Sequence, residues 1–165
     1  MDKIESLYEK AERCNKKDHK LAKSLYEKVV EEIGNKPIHE MDDSELRFFA
    51  LSKMRIFLSS EFRDVDSSEK AIHSFELYLE RNDNDVEIYG EYILVLEMTH
   101  QYEKAKDVLI SLFTKESMKE VALKFLSSYT YCAEKLQSFD ECINYKKQLI
   151  DITADPMEKK GCNKN

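Results

Sequence analysis

Residues 71–112 read AIHSFELYLERNDNDVEIYGEYILVLEMTHQYEKAKDVLISL. Ala71 and Ala105 stand 34 residues apart in this stretch, and each is followed one helical turn later by a large apolar residue, Phe75 and Leu109. Between them, Tyr89-x2-Tyr92-Ile93-x2-Leu96 keeps a spacing of three and four. Apolar residues at that period line one side of an α-helix rather than a strand. A small residue lets two helices close up, and the large residue one turn away fills the groove beside it. A self-similar step of 34 residues is the period of a stacked helix–turn–helix repeat.

The pattern extends in both directions. Upstream, Ala22-x3-Tyr26 repeats the small–large pair; downstream, Cys142 is the next small residue, and Leu126-x2-Tyr129-Thr130-x2-Ala133 repeats the leading-helix spacing. Tyr102 and Phe139 each precede the small residue by three. The outer steps are irregular, 49 residues from Ala22 to Ala71 and 37 from Ala105 to Cys142, so the first hairpin carries an insertion, and residues 34–43 are the longest interruption. One hairpin cannot bury both of its faces, and hairpins of this kind must stack.

Helix starts are expected where Asp66-x2-Glu69, Asn84-x2-Glu87, Ser117-x2-Glu120 and Ser138-x2-Glu141 have capping-box spacing. The resulting expectation is an all-α chain, an α-solenoid of about four antiparallel hairpins, 2–33, 43–81, 85–115 and 118–153, in one repeat domain. Its helices are 2–14, 18–33, 43–61, 67–81, 85–99, 102–115, 118–136 and 139–153, followed by a flexible tail at 154–165. An ordinary helical bundle is the alternative fold.

Composition agrees with that class. Gly34, Gly90 and Gly161 are the only glycines and Pro37 and Pro156 the only prolines, fewer turn residues than sheet-rich folds need. Charged residues make up 36% and are well mixed, as expected of amphipathic helices that each show a polar face to water. A net charge of −7 argues against a dedicated binder of nucleic acid or anionic membrane, both of which call for a positive field. Lys16, Lys17, Lys20 and Lys23, with Lys159, Lys160 and Lys164, read as solvated surface.

No chemistry-bearing constellation emerges. Isolated glycines cannot build a phosphate-cradling loop. His19, His39, His73 and His100 lie far apart, and Cys14, Cys132, Cys142 and Cys162 form no C-x2-C pair, so no metal site or cofactor is expected. Asp83, Asp85 and Glu87 resemble the opening of a calcium loop, but Ile88 stands where its glycine belongs. Cys14 and His19 lack a third orienting group, and Cys162 is not followed by the aliphatic pair of a prenylation box. The expectation is a non-enzyme in a reducing, cytoplasmic compartment, with no small-molecule substrate and no segment that spans a membrane.

The repeat pattern resembles the tetratricopeptide family. That resemblance implies a protein-binding scaffold whose first helices line a concave face, with Glu87, Gly90, Glu91, Leu94, Lys124, Ser127 and Tyr131 as candidates to face a partner. Ala22, Tyr26, Ala71, Phe75, Tyr89, Tyr92, Ala105, Leu109, Tyr129 and Cys142 are the repeat-packing set. Chaperone adaptors of the family clamp a C-terminal carboxylate with basic and asparagine side chains; here those sites read Glu87, Gly90, Glu91 and Leu94, which would repel or ignore one.

A narrower resemblance runs over residues 71–112 to the family of subunit 2 of the ER membrane protein complex. It is carried by Ala71-Ile72, Tyr78-Leu79-Glu80, Asp85, Glu87, Glu91, Tyr102, Lys104-Ala105, Leu109 and Leu112, with Tyr89 where that family has tryptophan. It implies a scaffold on the cytosolic face of the ER membrane that organises membrane-complex subunits and touches the membrane only through them. Ala22-Lys-Ser-Leu-Tyr-Glu-Lys, and Tyr89-x2-Tyr92 ending in Ala105-Lys106, also resemble the half-a-tetratricopeptide repeats of RNA-processing scaffolds, with lysine where those have arginine.

Overall fold

The computed structural model describes residues 2–34, 36–60, 64–115, 123–144 and 146–147. Among them every regular element is helical. The α-helices are α1 (Asp2–Asn15), α2 (His19–Ile33), α3 (Asp43–Ser59), α4 (Val65–Arg81), α5 (Val86–Met98), α6 (Tyr102–Thr114) and α7 (Leu126–Lys135). Short 3-10 turns occupy Ile38–Glu40 and Leu123–Phe125, and helical backbone recurs at 139–144 and 146–147. The Ser117 capping signal, the expected start at 118, the end of the last helix and the tail lie outside the described residues.

Helices α2 to α5 start on aspartates. Asp18 accepts from the Leu21 amide at 3.0 Å, and Asp42 and Glu45 form a reciprocal capping box at 2.9 and 3.0 Å. Two starts differ from the sequence expectation. Helix α4 begins at Val65 with Asp64 as its cap, because the Asp64 carboxylate accepts both the Ser67 amide (3.0 Å) and the Ser67 hydroxyl (2.7 Å). Those two bonds hold its carboxyl below the ordinary range and leave Asp66 as a first-turn acid. Helix α5 is capped by Asp85, which accepts from Ile88 at 3.2 Å, rather than by Asn84. Ser138 turns its hydroxyl back to the Ala133 carbonyl at 3.4 Å.

That last contact belongs to the end of α7. Ser138 N–H donates to Ala133 O (2.9 Å) and Gln137 N–H to Glu134 O (3.2 Å), the paired bonds of a Schellman stop, with Gln137 at φ 56°. A side chain in that left-handed position is strained, whereas glycine is at ease there. Gln137→Gly is therefore expected to stabilise the segment from Gln101 onward by about 0.5–1 kcal/mol, read as an upward shift in its thermal or urea midpoint. An unchanged or lower midpoint would mean that the left-handed turn stores no strain.

By internal packing, residues up to His100 form one compact unit and residues from Gln101 a second. In the first unit each helix packs on the next, from α1 to α5, and α3 also touches both α1 and α5. Helix α3 is central, so its apolar residues do not keep to one stripe: Leu46, Phe48, Phe49, Ala50, Leu51, Met54, Ile56 and Phe57 are all buried. Ala11 and Ala22 meet in one cluster with Leu25, Tyr26 and Ile56. Ala71 and Phe75 are fully buried on α4, and Phe75 packs against Tyr92 with ring centroids 6.1 Å apart. In the second unit Ala105, Leu109, Leu112 and Phe113 of α6, Tyr129, Cys132 and Ala133 of α7, and Cys142 are buried, and Phe113 meets Tyr129 edge-on.

Candidate functional site

The most structured polar feature of the first unit spans α1, α3 and α5. Arg55, on α3, points its guanidinium both ways: Nε donates to Glu12 of α1 at 3.0 Å, and Nη2 and Nη1 donate to the two oxygens of Glu91 on α5 at 2.9 and 3.4 Å. A planar guanidinium suits such two-point recognition in a way that lysine does not. The Arg55 side chain is 19% exposed and that of Glu91 21%, so this is a half-desolvated cluster rather than a loose surface pair.

The hydrogen bonds around Glu12 continue into the packed interior. Tyr26 donates its hydroxyl to Glu12 at 2.8 Å, and the Tyr8 ring leans on Tyr26 and Phe48 with centroids 5.8 and 5.4 Å away. Burial by itself raises the Glu12 carboxyl, but the Tyr26 hydrogen bond and the Arg55 charge outweigh it and hold the group below its ordinary value. Burial, with Glu12 beside them, pushes the Tyr8 and Tyr26 hydroxyls well above the usual phenol range. Both phenols therefore stay protonated and donate.

A second tie lies two helical turns away on α3. Arg47 reaches Glu87 at 2.5 Å and Asp85 at 3.7 Å, and Asp85 also accepts the Tyr78 hydroxyl at 2.9 Å. Burial and the Asp85 bond push Tyr78 up to about 12. Tyr92 of α5 donates to Glu76 of α4 at 2.8 Å. Tyrosine–carboxylate bonds thus recur at the seams α1/α2 and α4/α5, where buried hydroxyls require acceptors.

The candidate face residues fall as follows. Glu87, Gly90, Glu91 and Leu94 share one strip of α5, with Gly90, Glu91 and Leu94 half-buried and Glu87 exposed. Glu87 and Glu91 are engaged by Arg47 and Arg55. Lys124 and Ser127 are exposed in the second unit, and Tyr131, 40% exposed, has its ring against Tyr102 (5.8 Å) and under Lys135 Nζ (5.2 Å). Every repeat-packing residue is buried: Ala22, Tyr26, Ala71, Phe75, Tyr89, Tyr92, Ala105, Leu109, Tyr129 and Cys142. Sequence reasoning missed Arg47 and Arg55. Their two-turn spacing was a signal, but it points to an acid strip only once α3 is known to lie beside α5.

Among the described residues, no group of three or more histidine, cysteine, aspartate or glutamate side chains is placed to hold a metal ion. No helix among them is long and apolar enough to cross a membrane. Compared with family models, characterised proteins and solved structures, the chain finds no match.

Proposed function

We propose that the chain is a non-catalytic scaffold of tetratricopeptide type that holds a polypeptide partner on the face built by the first helices of its hairpins. The observation that carries this reading is the pairing of α1, α3 and α5 through Arg55, with a buried small–large pair behind them on α2 and α4, Ala22/Tyr26 and Ala71/Phe75. Helix α3 in contact with both α1 and α5, with α2 and α4 packed behind α1 and α3, is what a stack of hairpins requires. On this reading the hairpins continue as a solenoid and the arginine ties fix the side chains of the binding face before a partner arrives, which lowers the ordering cost of association.

The sharper form of the proposal is a cytosolic scaffold subunit of an ER membrane insertase, supported by the resemblance over residues 71–112. Asp85 and Glu91, two residues that carry it, are taken up in the arginine ties. The test is affinity purification of tagged chain from fractionated cells, comparing wild type with a Glu87→Lys/Leu94→Lys double variant of verified fold. Recovery of ER membrane-complex subunits, lost in the variant, is the expected result. Equal recovery by both chains would remove the α5 face from the proposal. Recovery of nuclear RNA-processing proteins instead would favour the half-a-tetratricopeptide reading.

A further inference from the structure

The turn between α1 and α2 serves neither the arginine ties nor the buried small–large pairs. Residues 9–28 carry seven lysines and arginines against four acids, Glu9, Glu12, Asp18 and Glu27, a net +3 in a chain of −7. The excess sits at the turn itself, where Arg13, Lys16, Lys17 and Lys20 are all exposed and only Asp18 opposes them. Next to Lys20 and four residues after Lys17 stands Leu21, a large apolar side chain left 46% exposed while Ala22 and Leu25 join the core. We propose that this turn docks the first unit directly on an anionic lipid surface, with Lys16, Lys17 and Lys20 among the headgroups and Leu21 entering the boundary with the acyl chains.

The neighbouring acids leave that excess in place. Glu12 is held by Arg55 and Tyr26, and Asp18 is committed to the Leu21 amide as the α2 cap, offsetting one charge. Glu9 approaches Arg13 only to 3.9 Å, a loose pair, and Glu27 lies about two helical turns along α2 from Lys20. Lys23 donates to Ser60 at 2.9 Å and stands near Asp64, so it takes no part in the contact. Among the described residues no ion pair or hydrogen bond engages the side chain of Lys16, Lys17 or Lys20. Lys20 also runs against its own helix: α3 to α6 each carry an acid in the first turn, where the helix dipole favours one, and α2 carries none. The fold does not reward a cation at that position.

The chain's overall charge acts weakly here, because at about 0.1 M salt charges beyond about 10 Å are largely screened and only the turn meets the surface. Clustered lysines supply one of the two signals that stable attachment to a membrane requires, and an exposed apolar side chain supplies the other. Between Arg13 and Leu21 there is no phenylalanine, tyrosine or tryptophan on which a nucleic-acid base could stack. The side chains stand out from the turn rather than lining a recess, so a peptide would find no wall to fix its register, whereas a lipid surface needs none. The contact is direct, beyond the membrane contact through partners that the resemblance implies, and it does not depend on the scaffold reading.

The probe is unilamellar vesicles of phosphatidylcholine with about 30% phosphatidylserine, mixed with the full chain at about 0.1 M salt and read by cosedimentation. Binding is expected to these vesicles and not to pure phosphatidylcholine. Lys16→Gln/Lys17→Gln/Lys20→Gln should weaken it about a hundredfold, about fivefold for each charge, and arginine at the same three positions should keep it. Leu21→Gln should weaken it about threefold or more. Lys104→Gln/Lys146→Gln/Lys147→Gln, which takes the same charge from the second unit, should leave it unchanged. Circular dichroism melts confirm that each variant is folded. The inference is overturned if anionic vesicles are not preferred, if the Lys16/Lys17/Lys20 variant or Leu21→Gln binds as tightly as wild type, or if the second-unit variant loses as much. Lysine-dependent binding of a glutamate-rich peptide or of an oligonucleotide, without vesicle binding, would also overturn it and assign the turn to that partner. Because the copurification test uses the α5 face, either result can fail while the other stands.

Discussion

Phe75→Ala is expected to lower the stability of the unit up to His100 by about 3–5 kcal/mol, the range for removing a fully buried aromatic side chain. Phe75 has no solvent exposure, stands one turn from the fully buried Ala71, and packs against the Tyr92 ring across the α4/α5 seam. The lost area and the hollow left behind act together, because α4 is held against the central α3 and cannot collapse into the gap. A domain stable by about 5–15 kcal/mol would keep only a fraction of that margin. The measurement is a urea or thermal unfolding curve followed by a probe in the first unit. A loss below about 1 kcal/mol would mean that the seam repacks freely and that the small–large pair is not what joins the hairpins.

Removing the Arg55 charge should have the next largest effect. Arg55→Met keeps most of the stem but leaves Glu12 and Glu91 facing each other without the cation between them. Because Glu12 is 37% exposed and keeps its bond from Tyr26, the expected loss is about 2–3 kcal/mol at neutral pH, toward the low end for breaking a desolvated pair. Arg55→Lys should recover only part of it, since an ammonium cannot hold both oxygens of Glu91 and Glu12 in one plane.

The pH dependence gives an independent check. Glu12 has a folded value lowered from the ordinary 4.5, so its contribution is fully present above that value and is lost as pH falls through the folded one. In Arg55→Met the Glu12 carboxylate loses its cation and protonates more readily, so the gap between variant and wild type should narrow as pH falls through the folded value of Glu12. A gap that stays constant across the acid range would show that the loss came from packing of the arginine stem rather than from charge.

Helix positions were legible because their causes are local. The bounds expected for α2, α3 and α6 agree with the observed ones to within two residues, and the small–large pairs at Ala22/Tyr26, Ala71/Phe75 and Ala105/Leu109 are buried. Errors came where several caps competed within a few residues. Asp64 and Asp66 both offer a carboxylate, and the choice fell to Asp64 because Ser67 gives it two hydrogen bonds. Asn84 and Asp85 present the same ambiguity, settled by Asp85, which also receives Tyr78 and Arg47.

The polar face was half legible. Its acids, Glu87 and Glu91, stand one turn apart on α5 and so share a strip whatever their neighbours are. That they are held by Arg47 and Arg55, about forty residues earlier, depends on α3 lying between α1 and α5, and no spacing within one helix encodes that. Residue order alone therefore determined the helical class and the burial of the small–large pairs, since each follows from hydrogen bonding and apolar spacing within a turn or two. Only the tertiary structure decided which charges meet and that α3 is buried on all sides, because those depend on which helices become neighbours once their apolar sides are buried together.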